Sequence, residues 1–194
     1  MCATTSGRSA EPVGGALNPG VAIRPWSAGD LGLLARLLGD PATTQHLGGP
    51  ATPDAIRARH ERYLAADPAR HGLYAIVLGP EAEAVGWVGY WESEWQGETV
   101  WECGWHVVAE HQGRGVATAA TALLLDRARR HGVHRHIHAF PSVDNVASNA
   151  LCRTLGFTRL GEEDVEYPVG TLERSSNWRL ELGPLAARPT GATT

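Results

Sequence analysis

The segment that most restricts this chain runs from Val107 to Ala120, Val-Val-Ala-Glu-His-Gln-Gly-Arg-Gly-Val-Ala-Thr-Ala-Ala. An alternating apolar run ends there, two glycines follow, and an alanine-rich helical pattern begins. This predicts a strand, a turn and a helix in immediate succession. Gly113 and Gly115 can adopt backbone conformations closed to other residues and let a ligand approach the main chain closely. The first amides of the helix have no intrahelical partners and carry the positive end of its dipole, which makes the turn an anion site. A phosphate-bearing cofactor is one reading. A plain glycine-containing connection is the other, and the segment alone does not choose between them.

At 194 residues, 43% of them hydrophobic, the chain has the size of one domain with a substantial core. Its formal net charge of -4 lacks the basic field that non-specific nucleic-acid binders use, so no nucleic-acid partner is expected. The cysteines, Cys2, Cys103 and Cys152, are odd in number and lack metal-type spacing, which argues against a disulfide framework and for a reducing, cytoplasmic setting. The first residues lack the apolar stretch of a secretory signal and no run reaches transmembrane length, so no membrane association is expected.

Residues 1–20 and 184–194 are rich in small residues, Gly and Pro, and are expected to be flexible tails around a single domain, 21–183. A short strand at 21–24 precedes a helix with Leu31, Leu34, Leu37 and Leu38 on one face, stopped at Gly39-Asp40-Pro41. A second helix is expected over 54–66, with Arg57, Arg59 and Arg62 solvated. Strands at 73–78, 84–91 and 100–108 suggest an antiparallel meander. A helix over 115–131 then leads to a strand at 134–140, a crossover that would return it parallel to its predecessor. A helix at 145–155 ends at Gly156, and strands at 157–160 and 177–182 close the domain.

Within this order, Gln112-Gly113-Arg114-Gly115-Val116-Ala117 resembles the Q/R-x-x-G-x-G/A signature of the GNAT superfamily of acyl-CoA-dependent N-acyltransferases. Asn145-Val146-Ala147-Ser148, followed by Leu155-Gly156-Phe157, is similar to the N-x-x-S and L-G-F segments of the branch that includes ribosomal-protein N-terminal acetyltransferases. The resemblance extends from about Val21 to Leu182. It implies an α/β (α+β) fold with a mixed, mostly antiparallel central sheet, helices on both faces, and a V-shaped splay between strands 4 and 5. It also implies acetyl-CoA, or another short acyl-CoA, as donor and a primary amine as acceptor, either a protein N-terminus or a small molecule. The amides of Gly113, Arg114, Gly115, Val116, Ala117 and Thr118, with Gln112 beside them, would hold the pyrophosphate. Val107 and Val108 would pair through their backbone with the pantetheine arm, and Asn145, Ser148 and Asn149 would contact its other side. A homodimer is left open.

An amine like that of Lys has a free pKa near 10.4, so only about one molecule in a thousand is nucleophilic at neutral pH, and a base is needed. Glu102 matches the glutamate that many family members use, and His106 shares its strand parity and titrates near neutrality. Glu102 is the preferred base. Where the family often has a Tyr to protonate the departing thiolate, this chain has Cys152, a weak donor, so Ser148 is the better candidate. A backbone amide near Val108, where family members have a bulge, would stabilise the developing oxyanion. A catalytically silent acyl-CoA sensor is the alternative function.

Two further patterns need weighing. His134, His136 and His138 alternate, with His131 nearby, yet no Cys or acidic ligand accompanies them at metal-binding spacing, so no metal is expected. Trp87, Trp91, Trp95, Trp101 and Trp105 crowd the central meander and are expected mostly in the core, with Trp91, and Tyr167 in the loop before the last strand, as candidate walls of an acceptor pocket.

Overall fold

The computed structural model describes residues 20–79, 82–166, 170 and 172–184. Tyr167 and nearly all of the two expected tails lie outside them. Seven strands form one sheet: β1 (Val21–Pro25), β2 (His71–Leu78), β3 (Glu83–Trp95), β4 (Glu98–Val107), β5 (His136–Ala139), β6 (Thr158–Glu166) and β7 (Leu172–Glu181), in the order β1-β2-β3-β4-β5-β7-β6. All neighbours are antiparallel except β4 and β5. The helices are α1 (Leu31–Gly39), α2 (Pro41–Thr44), α3 (Pro53–Leu64), α4 (Val116–His131) and α5 (Val146–Thr154).

The meander β2-β3-β4 forms as the alternation requires, with the β3–β4 hairpin closed by Gln96 and Gly97, both at positive φ. The 16 residues of α4 carry the chain across the sheet, and β5 returns parallel to β4. That pairing is brief. Only Trp101↔Ile137 and Glu102↔His138 are in register, while β4 runs on to Val107 and β5 stops at Ala139. The strands therefore part after Glu102, along the last five residues of β4, and this gap is the expected V.

Packing on the meander explains the helix phases. Leu33, Leu34, Leu37 and Leu38 of α1 are buried, whereas Leu31, expected on that face, is 36% exposed. A short 3-10 turn at Ala28–Asp30 precedes the helix and shifts its phase. Asp30 in that turn is buried and takes two bonds from Arg24, at 2.6 and 2.8 Å, which hold its carboxyl below the usual range against the opposing pull of burial. α1 stops at Gly39 as expected, and Asp40-Pro41 also starts α2: the Asp40 carboxylate accepts the Ala42 N–H at 2.9 Å and Pro41 occupies the first turn. Thr52 caps α3 by accepting the Ala55 N–H, and Asp54 lies in its first turn. β6 and β7 are longer than the sequence suggests. As the sheet edge, β6 carries mostly exposed polar side chains, so no apolar alternation announces it.

Candidate active site

The strand, turn and helix at the centre of the sequence form as expected. Gly113 (φ 69°) and Gly115 (φ 74°) are both left-handed, and α4 begins at Val116. The first intrahelical bond of α4 joins Ala119 N–H to Gly115 O at 3.0 Å, so the amides of Val116, Ala117 and Thr118 lie ahead of the ladder. These residues border a cavity of about 420 Å3 whose opposite wall is α5. Gln112 braces the turn: its Nε2 donates to Val107 O at 2.8 Å.

A second cavity, about 200 Å3, lies over the β3–β4 face. Strand register sets Trp87 opposite His106, Gly89 opposite Gly104 and Trp91 opposite Glu102, so two indoles, a carboxylate and an imidazole share one surface. Gly104 is the gap among them. A Cβ there would sit 3.0 Å from Trp91 Cη2 and 3.3 Å from Trp87 Cη2, so only glycine leaves the floor open. The two cavities share His46, Leu47, Trp105, His106, Asn145 and Ser148 as lining residues, and they meet at that ring.

The chemical state of the ring follows from its hydrogen bonds. Burial pushes the Glu102 carboxyl up, with bonds from Ser93 and Trp91 opposing, so the group is a stronger base than an exposed glutamate. His106 is 8% exposed, and its Nε2 lies 3.0 Å from Thr43 O. A carbonyl only accepts, so Nε2 carries the proton and Nδ1 the lone pair; Nδ1 is buried with no partner. Burial is the main reason the imidazole is held below its ordinary pKa, and the neighbouring Arg59 adds to it. Ser148 Oγ accepts the Trp105 Nε1–H at 3.3 Å, which leaves its own O–H to donate elsewhere.

The edge of β4 is available as well. Val108 N–H donates to Val85 O at 2.9 Å, and the β3–β4 register is unbroken from Gly86↔Val107 to Trp95↔Glu98. No bulge forms near Val108, so its amide is not a free oxyanion donor. By strand alternation the backbone groups of Trp105 and Val107 face the other way, into the gap beyond β5, where Val107 O already accepts Gln112 Nε2.

Residues 21–158 match the family model of the acetyltransferase (GNAT) domain. The chain is a GNAT-family acetyltransferase. Its fold is similar to that of a Salmonella typhimurium acetyl transferase that modifies the N-terminal serine of ribosomal protein L7/L12, with 19% identity, TM-score 0.69, and coverage of 85% of this chain and 96% of that one. It is also similar to spermidine N-acetyltransferase from Vibrio cholerae in complex with CoA and spermine, with 17% identity, TM-score 0.69, and coverage of 85% and 97%. A third similar structure, yncA from Salmonella typhimurium with its cofactor acetyl-CoA, has 20% identity, TM-score 0.65, and coverage of 88% and 99%.

Not every expected residue of this acetyltransferase comes to the cavities. Arg114 is exposed and Val108 is in the core, and neither borders them. Asn149 borders neither cavity, and its amide is already bonded. Its Nδ2 donates to Ser142 O at 2.9 Å and Asn145 O at 2.8 Å, and its Oδ1 accepts the Trp178 Nε1–H at 2.8 Å. The buried amide is spent on holding α5 to the sheet. Asn145 caps α5 by accepting the Ser148 N–H at 3.0 Å and still borders both cavities. Cys152, in the place of the usual Tyr, is fully buried in the core, and burial pushes its thiol up to about 12. The histidines part company: His134 pairs with Glu92, His138 with Asn177, and His131 with Tyr90. Among the described residues no three His, Cys, Asp or Glu side chains gather in a metal-holding group.

Other contributors carry no sequence signal of their role. Arg59, expected to be solvated, borders the smaller cavity, as does Leu38 of α1. Thr43, His46 and Leu47 come from the segment between α1 and α3, whose irregular pattern predicted only a connection. Among the tryptophans, Trp101 and Trp178 are core, and Trp87 and Trp105, expected in the core, join Trp91 as half-buried walls of the site.

Proposed function

We propose that the protein transfers an acetyl group from acetyl-CoA to a primary amine, with both substrates bound at once. The observation that carries this reading is the meeting of the two cavities at His106 and Ser148: one is headed by an anion-binding helix N-terminus, the other walled by indoles around a carboxylate. The residues fit the donor. The amides of Val116, Ala117 and Thr118 would hold the pyrophosphate, and the outward backbone groups of Trp105 and Val107 would pair with the pantetheine arm as an added strand does. When bound, acyl-CoA supplies an activated acyl group on a thiol whose pKa of about 8.5 makes it a tolerable leaving group.

Glu102, at the floor of the acceptor cavity, takes a proton from the incoming ammonium, directly or through water. The amine nitrogen then bonds to the acyl carbon, the C–S bond breaks, and its electron pair leaves with sulfur. Ser148 is the group at the junction with an O–H to offer that sulfur. His106, whose tautomer Thr43 fixes, presents a neutral ring there. Outward N–H groups of β4 face the gap where oxyanion charge develops.

The test is release of CoA thiol from acetyl-CoA across a panel of small amines and peptides. Release above background with at least one amine, lost in Glu102→Gln, is expected. Tight acetyl-CoA binding with no release from any amine, and no effect of Glu102→Gln, would leave a silent acyl-CoA sensor instead.

A further inference from the structure

The acceptor cavity has a composition that selects among amines. At about 200 Å3 it is small: an apolar cavity of about 150 Å3 holds benzene, so this one has room for a single ring and a short arm. Two of its walls are Trp87 and Trp91, four residues apart on β3, and their ring ends converge over Gly104 of β4. Trp87 is braced from behind by Tyr63, with ring centroids 5.8 Å apart, and Tyr63 by Trp26 at 5.6 Å. That wall of the cavity is therefore set by packing within the protein. Phe140, Leu38 and Val165 add apolar surface.

Charge narrows the choice further. Two carboxylates, Glu102 and Glu173, border the cavity together with one guanidinium, Arg59. Such a balance suits one ammonium group. A polyamine needs a carboxylate for each desolvated cation, and a polypeptide N-terminus brings a polar backbone whose amides need partners, for which the walls offer besides their charged and imidazole groups only Ser142, Asn145, Ser148 and Ser175.

Resting on the N-acetyltransferase reading above, we propose that the acceptor is a compact primary amine bearing a single aromatic ring on a short arm, held between Trp87 and Trp91 over Gly104. The ring occupies the slot, and the amine arm reaches Glu102 and the junction at His106. Aromatic stacking and a cation–π contact before deprotonation supply the selectivity. Gly104 is then a specificity-determining position, because any side chain there enters the space between the two indoles.

The experiment compares 2-phenylethylamine, ethylamine, spermidine and a tetrapeptide with a free N-terminus as acceptors, reading CoA release. In parallel, indole fluorescence is titrated with 2-phenylethylamine alone. The expected result is a kcat/KM for 2-phenylethylamine at least about tenfold above each of the others, and a saturable fluorescence change. Gly104→Ala lowers that kcat/KM by about tenfold, mainly through KM, while the ringless ethylamine loses less. Faster turnover of spermidine or the peptide, or equal losses for 2-phenylethylamine and ethylamine in Gly104→Ala, overturns the aromatic acceptor and leaves the transferase standing. No CoA release from any of the four sinks the transfer reading, and the acceptor inference with it.

Discussion

Asn149 looks like a ligand contact in the sequence and is a structural tie in the fold, and Asn149→Ala separates the two roles. Its side chain makes three hydrogen bonds, two of them buried and the one to Asn145 O partly so. After truncation Ser142 O still accepts the Asn145 N–H at 3.0 Å and Asn145 O still accepts residue 149's own N–H at 3.0 Å, so neither carbonyl is orphaned. Each lost carbonyl bond costs about 0.5–1.5 kcal/mol. The Trp178 indole N–H is in a different position. Trp178 is 4% exposed and Asn149 is its partner, so the donor is left buried and unpaired at about 1–3 kcal/mol. The sum is about 2–6 kcal/mol, and a loss near 3 kcal/mol lowers Tm by about 6–12 °C for a chain of this size. Thermal unfolding followed by circular dichroism reads the loss, and steady-state kinetics well below the transition reads the site. A Tm within about 1 °C of the parent together with a tenfold rise in KM for acetyl-CoA refutes the structural assignment.

Glu102→Gln is expected to lower kcat by about 100-fold or more, measured as CoA release at saturating substrates. The same variant reports on stability. Burial raises the folded pKa of Glu102, so the native state holds the proton longer and parent stability falls as pH rises from the unfolded to the folded value. Glu102→Gln therefore gains Tm relative to the parent above that window and not below it; a constant difference across pH contradicts the assignment. His106 has the opposite sign. Its folded pKa is lowered, the unfolded state protonates first, and stability is lost as pH falls below about 6.5. In His106→Gln this part of the acid loss should vanish from a Tm-versus-pH profile. Gly115→Ala meets open space but must hold φ near 74°, which costs about 1–2 kcal/mol, and it should raise KM for acetyl-CoA more than KM for the amine.

How much of this was legible varied with the kind of signal. The glycine turn and the crossover to a parallel β5 were readable because each rests on local sequence pattern. The V was readable only through family resemblance, since where two strands part is set by tertiary packing. The tie from Asn149 to Trp178 was not legible because an amide beside an N-x-x-S pattern has the same chemistry whether it meets a ligand or an indole. Arg59 and Leu47 were invisible as site residues: they sit on α3 and in an irregular segment that only tertiary folding brings over the sheet. Gly104 had no turn to mark it, and its meaning comes from two indoles on the neighbouring strand. Strand parity did bring Glu102 and His106 to one face with Trp91. It could not show that Thr43 would fix the imidazole tautomer.

The central claim is that two cavities meeting at His106 and Ser148 hold donor and acceptor together for direct transfer. Initial rates of CoA release, with acetyl-CoA and the best amine varied against each other, test it most directly. Intersecting double-reciprocal lines, with no burst of CoA when amine is omitted, are the predicted result. Parallel lines, or a stoichiometric burst of CoA without amine, would contradict it.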